Sequence, residues 1–99
     1  MNIIFSPLAV ERIGEIAEYI ALDNPDASVK WVDSVFSKVE RLKTFPESGR
    51  IVPELDNREI REIFFGNYKI IYRYEKGLVS ILTVRHGMQI LPVDEISYL

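Results

Sequence analysis

From Arg58 to Arg85 the chain reads "REIREIFF", Gly66-Asn67, "YKIIYRYE", Lys76-Gly77, "LVSILTVR". Three runs of alternating residues, rich in Ile, Val, Phe and Tyr, are separated by two-residue dividers of turn type. Period-two alternation sends successive side chains to opposite faces of a strand, and such dividers close antiparallel hairpins. The segment is predicted to form a three-stranded antiparallel meander. A sheet of this kind carries an apolar face that must be buried against another layer, which restricts the rest of the chain to supplying that layer.

Two-residue turns fix a register. Phe65 pairs with Tyr68, Ile63 with Ile70 and Arg61 with Tyr72; across the second turn Tyr72 pairs with Ile81, Ile70 with Thr83 and Tyr68 with Arg85. One face then carries Ile63, Phe65, Tyr68, Ile70, Tyr72, Val79 and Ile81, with Arg61 and Arg85 near its ends. The other carries Ile60, Glu62, Phe64, Lys69, Ile71, Arg73, Ser80, Leu82 and Val84. The first is the expected core face. The second mixes cations with large apolar residues, a combination better suited to a covering partner than to water. A slip of one residue would exchange the two sets.

The covering layer is read from the N-terminal half. After "NIIF", a short strand, Ser6 and Pro7 combine a capping hydroxyl with proline at the first helical position. Ala9, Ile13, Ile16, Ala17 and Ile20 recur at helical spacing, so residues 7–22 form an amphipathic helix. Asn24 and Pro25 repeat the start signal. Ser28, Trp31, Val35, Val39 and Leu42 mark one face of a second helix over 25–43, and the short turn between the two makes a helical hairpin. "TFPESGR" ends the second helix, "IVPELDNR" has no clear period, and "MQILPVDEISYL" stays ambiguous because Pro92 interrupts it. The expected fold is α+β, one domain over residues 1–99. An N-terminal strand at the sheet edge precedes a two-helix hairpin packed on one face of an antiparallel sheet, in the order β-α-α-β-β-β.

Composition narrows the function. The 99 residues are 47% hydrophobic and 27% charged, with no cysteine and one histidine. That excludes a disulfide framework and a zinc-thiolate site, and leaves only carboxylates and one imidazole as metal ligands, so no metal and no cofactor are expected. No apolar run approaches the roughly 20 residues that span a bilayer. Glu11, Glu15 and Glu18 interrupt the N-terminal stretch, so neither a signal peptide nor membrane association is expected, and a cytoplasmic location is. Net charge is −3. It is divided unevenly: residues 1–47 hold five basic and eight acidic groups, residues 48–91 seven basic and five acidic. The C-terminal half can present a modest positive face, well short of the basic excess by which phosphate-binding proteins hold nucleic acid.

Standard catalytic motifs do not occur: there is no G-x-S-x-G, P-loop or dinucleotide fingerprint. Trp31 and Phe36 are expected to pack in the core or the helical hairpin rather than to form a base-stacking platform, and Asp23 and Asp26 to serve a helix start. His86, where the last strand ends, has the residue type for a general base near neutral pH, or is a turn histidine bonded to backbone. Lys69 and Arg85 can hold a phosphate or a developing negative charge, or serve the fold and a protein partner.

Taken together, "SPLAVERIGEIAEYIALDNPDAS", "LKTFPESGR" and "REIREIFFGNYKIIYRYEKGLVSILTVRHG" resemble the RelE/ParE superfamily of bacterial type II toxin–antitoxin toxins, in order and spacing from Ser6 to Gly87. The resemblance implies the fold just derived and a cognate antitoxin whose extended segment covers the second sheet face. The residues expected to meet it are Phe64, Lys69, Ile71, Arg73, Leu82 and Val84. Two mechanisms exist in the superfamily. RelE-like members cleave mRNA in the ribosome with lysines and arginines on the sheet and a late tyrosine. Here only Lys69 keeps such a cation in place, with Arg61, Arg85 and His86 nearby, while Ile60, Glu62, Gly87 and Val93 fall at or near the other positions and Tyr98 is a poor substitute. "TVRHG" resembles the ParE branch, whose members bind DNA gyrase and trap its cleaved-DNA state with no catalytic residues of their own. The resemblance therefore implies a plasmid-stabilisation toxin that poisons gyrase and has no small-molecule substrate. The alternative is a ribosome-dependent mRNA endoribonuclease using Arg61, Lys69, Arg85 and His86, and a third reading is a binding domain without toxicity.

Overall fold

The computed structural model describes residues 2–87. Strand β1 (Asn2–Phe5) leads into helices α1 (Pro7–Asp23) and α2 (Pro25–Glu40), a 3₁₀ turn (Arg41–Lys43), and strands β2 (Arg50–Ile51), β3 (Ile60–Phe65), β4 (Tyr68–Glu75) and β5 (Leu78–His86). The reading of residues 88–99 lies outside the described residues.

Both helix starts are built as their sequences dictate. Ser6 Oγ accepts from the Ala9 amide at 3.0 Å and donates to the Leu82 carbonyl at 2.8 Å, so the cap of α1 is also its tie to the sheet. Asn24 Oδ1 accepts from the Ala27 amide at 3.0 Å, and Ser28 Oγ donates to the Ala17 carbonyl at 2.6 Å across the hairpin. Helix α2 ends three residues earlier than expected, where the chain tightens into the 3₁₀ turn.

The five strands form one sheet in the order β1-β5-β4-β3-β2. β1 runs parallel to β5, and the other neighbours are antiparallel. β2 has two residues, too few for a periodic signal, which is why the sequence read that stretch as patternless. Both meander turns have two residues. Lys76 and Gly77 each take a positive φ (51° and 75°), the backbone that lets a tight turn follow the twist of its strands.

The β3–β4 register is as expected, with Phe65 opposite Tyr68, Ile63 opposite Ile70 and Arg61 opposite Tyr72. The β4–β5 register agrees only up to Tyr72 opposite Ile81. Ile71 then faces Thr83, so Leu82 is an extra residue on β5. Beyond this bulge every side chain of β5 changes face. Ile70 lies opposite Val84 rather than Thr83, and Tyr68 opposite His86 rather than Arg85. Val84 is consequently part of the helix-facing core, and Arg85 pairs with Lys69 on the other face, the reverse of the sequence assignment.

The helix-facing core joins Ala9, Ile13, Val35, Val39 and Leu42 to Ile70, Tyr72, Val79, Ile81 and Val84. Trp31 closes one end, edge-on to Tyr68 at 5.2 Å and stacked on Phe65 at 6.1 Å. A second, smaller core lies on the opposite face, where Val52 and Leu55 pack on Ile60, Ile71 and Leu82. The segment after β2 folds over the sheet, so Ile71 and Leu82 are covered by the chain itself rather than open to a partner.

Candidate functional site

On the outer face, β2, β3 and β4 bring Arg50, Glu62 and Lys69 together. Glu62 is fully buried; its Oε2 accepts from Arg50 Nε at 2.6 Å, and Oε1 lies 3.8 Å from Lys69 Nζ. The Lys69 side chain is only 7% exposed, whereas that of Arg50 is 60% exposed and passes over the Phe64 ring at 5.2 Å. A carboxylate in this position neutralises the lysine that would have to face an RNA phosphate. The alternation that placed Glu62 and Lys69 on one face was visible in the sequence; their pairing was not.

The four residues considered for RNA cleavage are divided between faces. Lys69 and Arg85 are opposite one another on the outer face. Arg61 follows Tyr72 onto the helix side, where its Nη1 donates to the carbonyls of Gly49 at 2.8 Å and Glu47 at 3.3 Å. His86, opposite Tyr68, is also on the helix side, edge-on to the Tyr68 ring at 5.7 Å, in a recess of about 460 Å³ that Arg12, Glu15, Tyr19 and its chain neighbour Arg85 also line, whereas Lys69 and Arg61 do not. The cross-strand row of Arg61 and that of His86 lie four residues apart on β3, ~13 Å along the strand.

Of the six residues expected to meet a partner, Phe64 is exposed and Arg73 half-buried, while Lys69 is nearly covered. Ile71 and Leu82 are 0% and 1% exposed, under Val52, and Val84 is 0% exposed among the helices. The face expected to be open is closed over most of its area.

The open apolar surface lies at the sheet's other edge. A groove of about 890 Å³ runs between the end of α2, the 44–48 loop and β3. Phe45 and Phe64 stand on its walls at 58% and 47% exposure, with Leu42 and Ile63 deeper and Lys38, Arg41 and Arg50 around the rim. Its loop is held by one phenol: Tyr72 Oη donates to the Pro46 carbonyl at 2.7 Å and accepts from the Gly49 amide at 3.0 Å. A Cβ on Gly49 would sit 2.6 Å from that oxygen, so the close approach requires glycine. Burial raises the Tyr72 pKa above that of an ordinary tyrosine, against the hydrogen bond from Gly49 and the nearby Arg61 charge, which lower it. The sequence reading takes "TFPESGR" as a helix break and as part of the family resemblance, not as the wall of a groove. The signal it passed over was an aromatic beside proline in an otherwise polar turn.

Among the described residues, no helix is long and apolar enough to cross a membrane, and no three His, Cys, Asp or Glu side chains cluster as a metal site.

Residues 3–91 match the family described as "ParE toxin of type II toxin-antitoxin system, parDE". The chain is 36% identical over 86 residues to the Sinorhizobium fredii protein named "Putative toxin Y4kP", covering 85% of each. Among solved structures it is similar to a chain of the "Chromosomal ParDE TA system from P. aeruginosa", with a TM-score of 0.72 at 18% identity, over 87% of this chain and 95% of that one. That likeness extends to the fold alone.

Proposed function

The chain belongs to the ParE toxin family of type II toxin–antitoxin systems, and we propose that it arrests growth by binding DNA gyrase and holding it on cleaved DNA until a cognate antitoxin removes it. On this reading the protein is a cytoplasmic binding inhibitor that stabilises the plasmid or locus encoding it. The supporting observation is the division of Arg61, Lys69, Arg85 and His86 between two sheet faces, with Lys69 buried against Glu62. Cleaving RNA by attack of a 2′-hydroxyl requires a base and charge-stabilising cations converging on one phosphate within hydrogen-bond reach. A protein that works by docking on an enzyme has no such requirement.

The test is induced expression in a sensitive bacterium, with DNA and protein synthesis followed by pulse labelling in the first minutes. DNA synthesis should stop first, with DNA-damage signalling. An early stop in translation with cut mRNA, lost in His86→Ala, would replace this reading with ribosome-dependent cleavage. Undisturbed growth would mark a binding domain without toxicity.

A further inference from the structure

We infer that two copies of this chain pair along β1, antiparallel about a two-fold axis at Ile4, so that two five-stranded sheets join into one. The inference is independent of the target proposed above. The surface it uses is the β1 edge, at the opposite end of the sheet from the Phe45 and Phe64 groove.

The first observation is an unprotected strand edge. The Ser6 amide donates to the Ile81 carbonyl at 2.9 Å, so by alternation Asn2 and Ile4 direct their backbone groups to β5, and Ile3 and Phe5 direct theirs outward. Those outward N–H and C=O groups have no hydrogen-bond partner among the described residues. Edge strands are ordinarily blunted by lysine, proline, a bulge or a covering element. "NIIF" carries no charge and no proline, and its register with β5 runs without a shift.

The second observation is apolar. Ile3 and Phe5 pack on the helix-facing core, which leaves Ile4 on the outer face, 51% exposed. Phe36 of α2, also exposed, stands beside the edge with its ring 5.3 Å from that of Phe5. Both Ile4 and Phe36 line a recess of about 490 Å³ between β1 and α2.

One arrangement satisfies both. If Ile3 of each copy exchanges N–H···O=C bonds with Phe5 of the other, all the outward groups are used, and Ile4 falls opposite its own copy as a non-hydrogen-bonded pair. Side chains of such a pair approach closely, so the two Ile4 side chains cover one another. On the helix side, Ile3 of the second copy comes beside Phe5 and Phe36.

Charge selects a second copy as the occupant. A two-fold interface sets a surface against itself, so like charges on it repel. The β1 recess carries one acid and one base, Glu40 and Lys43, paired at 2.9 Å. The β2 edge, with Lys38, Arg41 and Arg50 around its groove, would bring cations together.

The test uses the full chain, which has no cysteine, so an introduced one reports the pairing. In the dimer the two copies of residue 4 face each other at about 4.5 Å between Cα atoms, within disulfide reach, and the two copies of residue 2 are ~13 Å apart. Under mild oxidation Ile4→Cys should form a covalent dimer and Asn2→Cys should not. Sedimentation equilibrium over a concentration series should show wild type passing from monomer to dimer. Ile4→Lys and Phe36→Ser, both at exposed positions and expected to keep the circular-dichroism melt, should each raise the dissociation constant at least tenfold. Leu22→Ser, exposed on the helical hairpin, should stay within twofold. A wild-type chain that is monomeric at every concentration, a dimer indifferent to both edge variants, or Asn2→Cys crosslinking as readily as Ile4→Cys would overturn the inference.

Discussion

Replacing Glu62 by leucine should be among the most damaging single changes on the outer face. The carboxylate is fully buried, and its loss leaves the 7%-exposed Lys69 ammonium with no counter-charge at 3.8 Å. Breaking a buried pair from one side costs about 3–5 kcal/mol. The 3.8 Å separation is longer than a direct hydrogen bond, which places the expected cost of Glu62→Leu near ~3 kcal/mol, at the low end of that range. For a domain whose total stability is about 5–15 kcal/mol, that is a large fraction. Lys69→Met should cost less, because Glu62 keeps Arg50 at 2.6 Å. Glu62→Leu/Lys69→Met removes both buried charges and should recover most of the loss, with a coupling of about 2 kcal/mol. Urea denaturation at neutral pH measures all four proteins. If the double variant is as unstable as the two single losses added together, Glu62 is not what holds Lys69 in the sheet.

Tyr72→Phe removes the phenol that both supports Pro46 and receives the Gly49 amide, and should cost about 1–3 kcal/mol by thermal melting. Because burial raises the Tyr72 pKa, the folded state holds that proton more tightly than the unfolded state does. Wild-type stability should therefore be unaffected by this group below about pH 10, the ordinary tyrosine value, and fall above it. Melts between pH 8 and 11 should show a shallower alkaline decline in Tyr72→Phe. Ile71→Asp and Leu82→Asp each place a charge in the small outer core and should unfold the chain, read as loss of the circular-dichroism transition, whereas Phe64→Asp should leave it folded. Ser6→Ala removes the α1 cap and its tie to Leu82 and should cost about 1–2 kcal/mol in denaturant titration.

The elements that were legible in the sequence were those governed by local rules. Ser6-Pro7 and Asn24-Pro25 announce their helices because caps act within one turn of chain. The two-residue dividers fix the β3–β4 register because a hairpin closes over neighbouring residues. The bulge at Leu82 does leave a mark in "SILTVR", where the consecutive apolar residues Ile81 and Leu82 shift the alternation by one, but hairpin arithmetic from the turn alone carries the register straight through it. That single residue misplaced Val84 and Arg85, while Phe64, Lys69, Ile71, Arg73 and Leu82 stay on the face to which alternation assigns them. Closure of the outer face by Val52 and Leu55 was hidden for a different reason: two apolar residues in an aperiodic loop carry no sign of where they pack. The groove depends on Tyr72 reaching Pro46 and Gly49, contacts 26 and 23 residues distant in sequence.

The central claim, a toxin that works by docking on gyrase rather than by cutting RNA, is tested most directly with purified components. The chain is incubated with gyrase, ATP and supercoiled plasmid, then denatured with detergent and treated with protease. The account predicts linear DNA that accumulates with toxin concentration and disappears when the antitoxin is added first. Intact plasmid at every concentration, alongside mRNA cut on ribosomes by the same preparation, would contradict it.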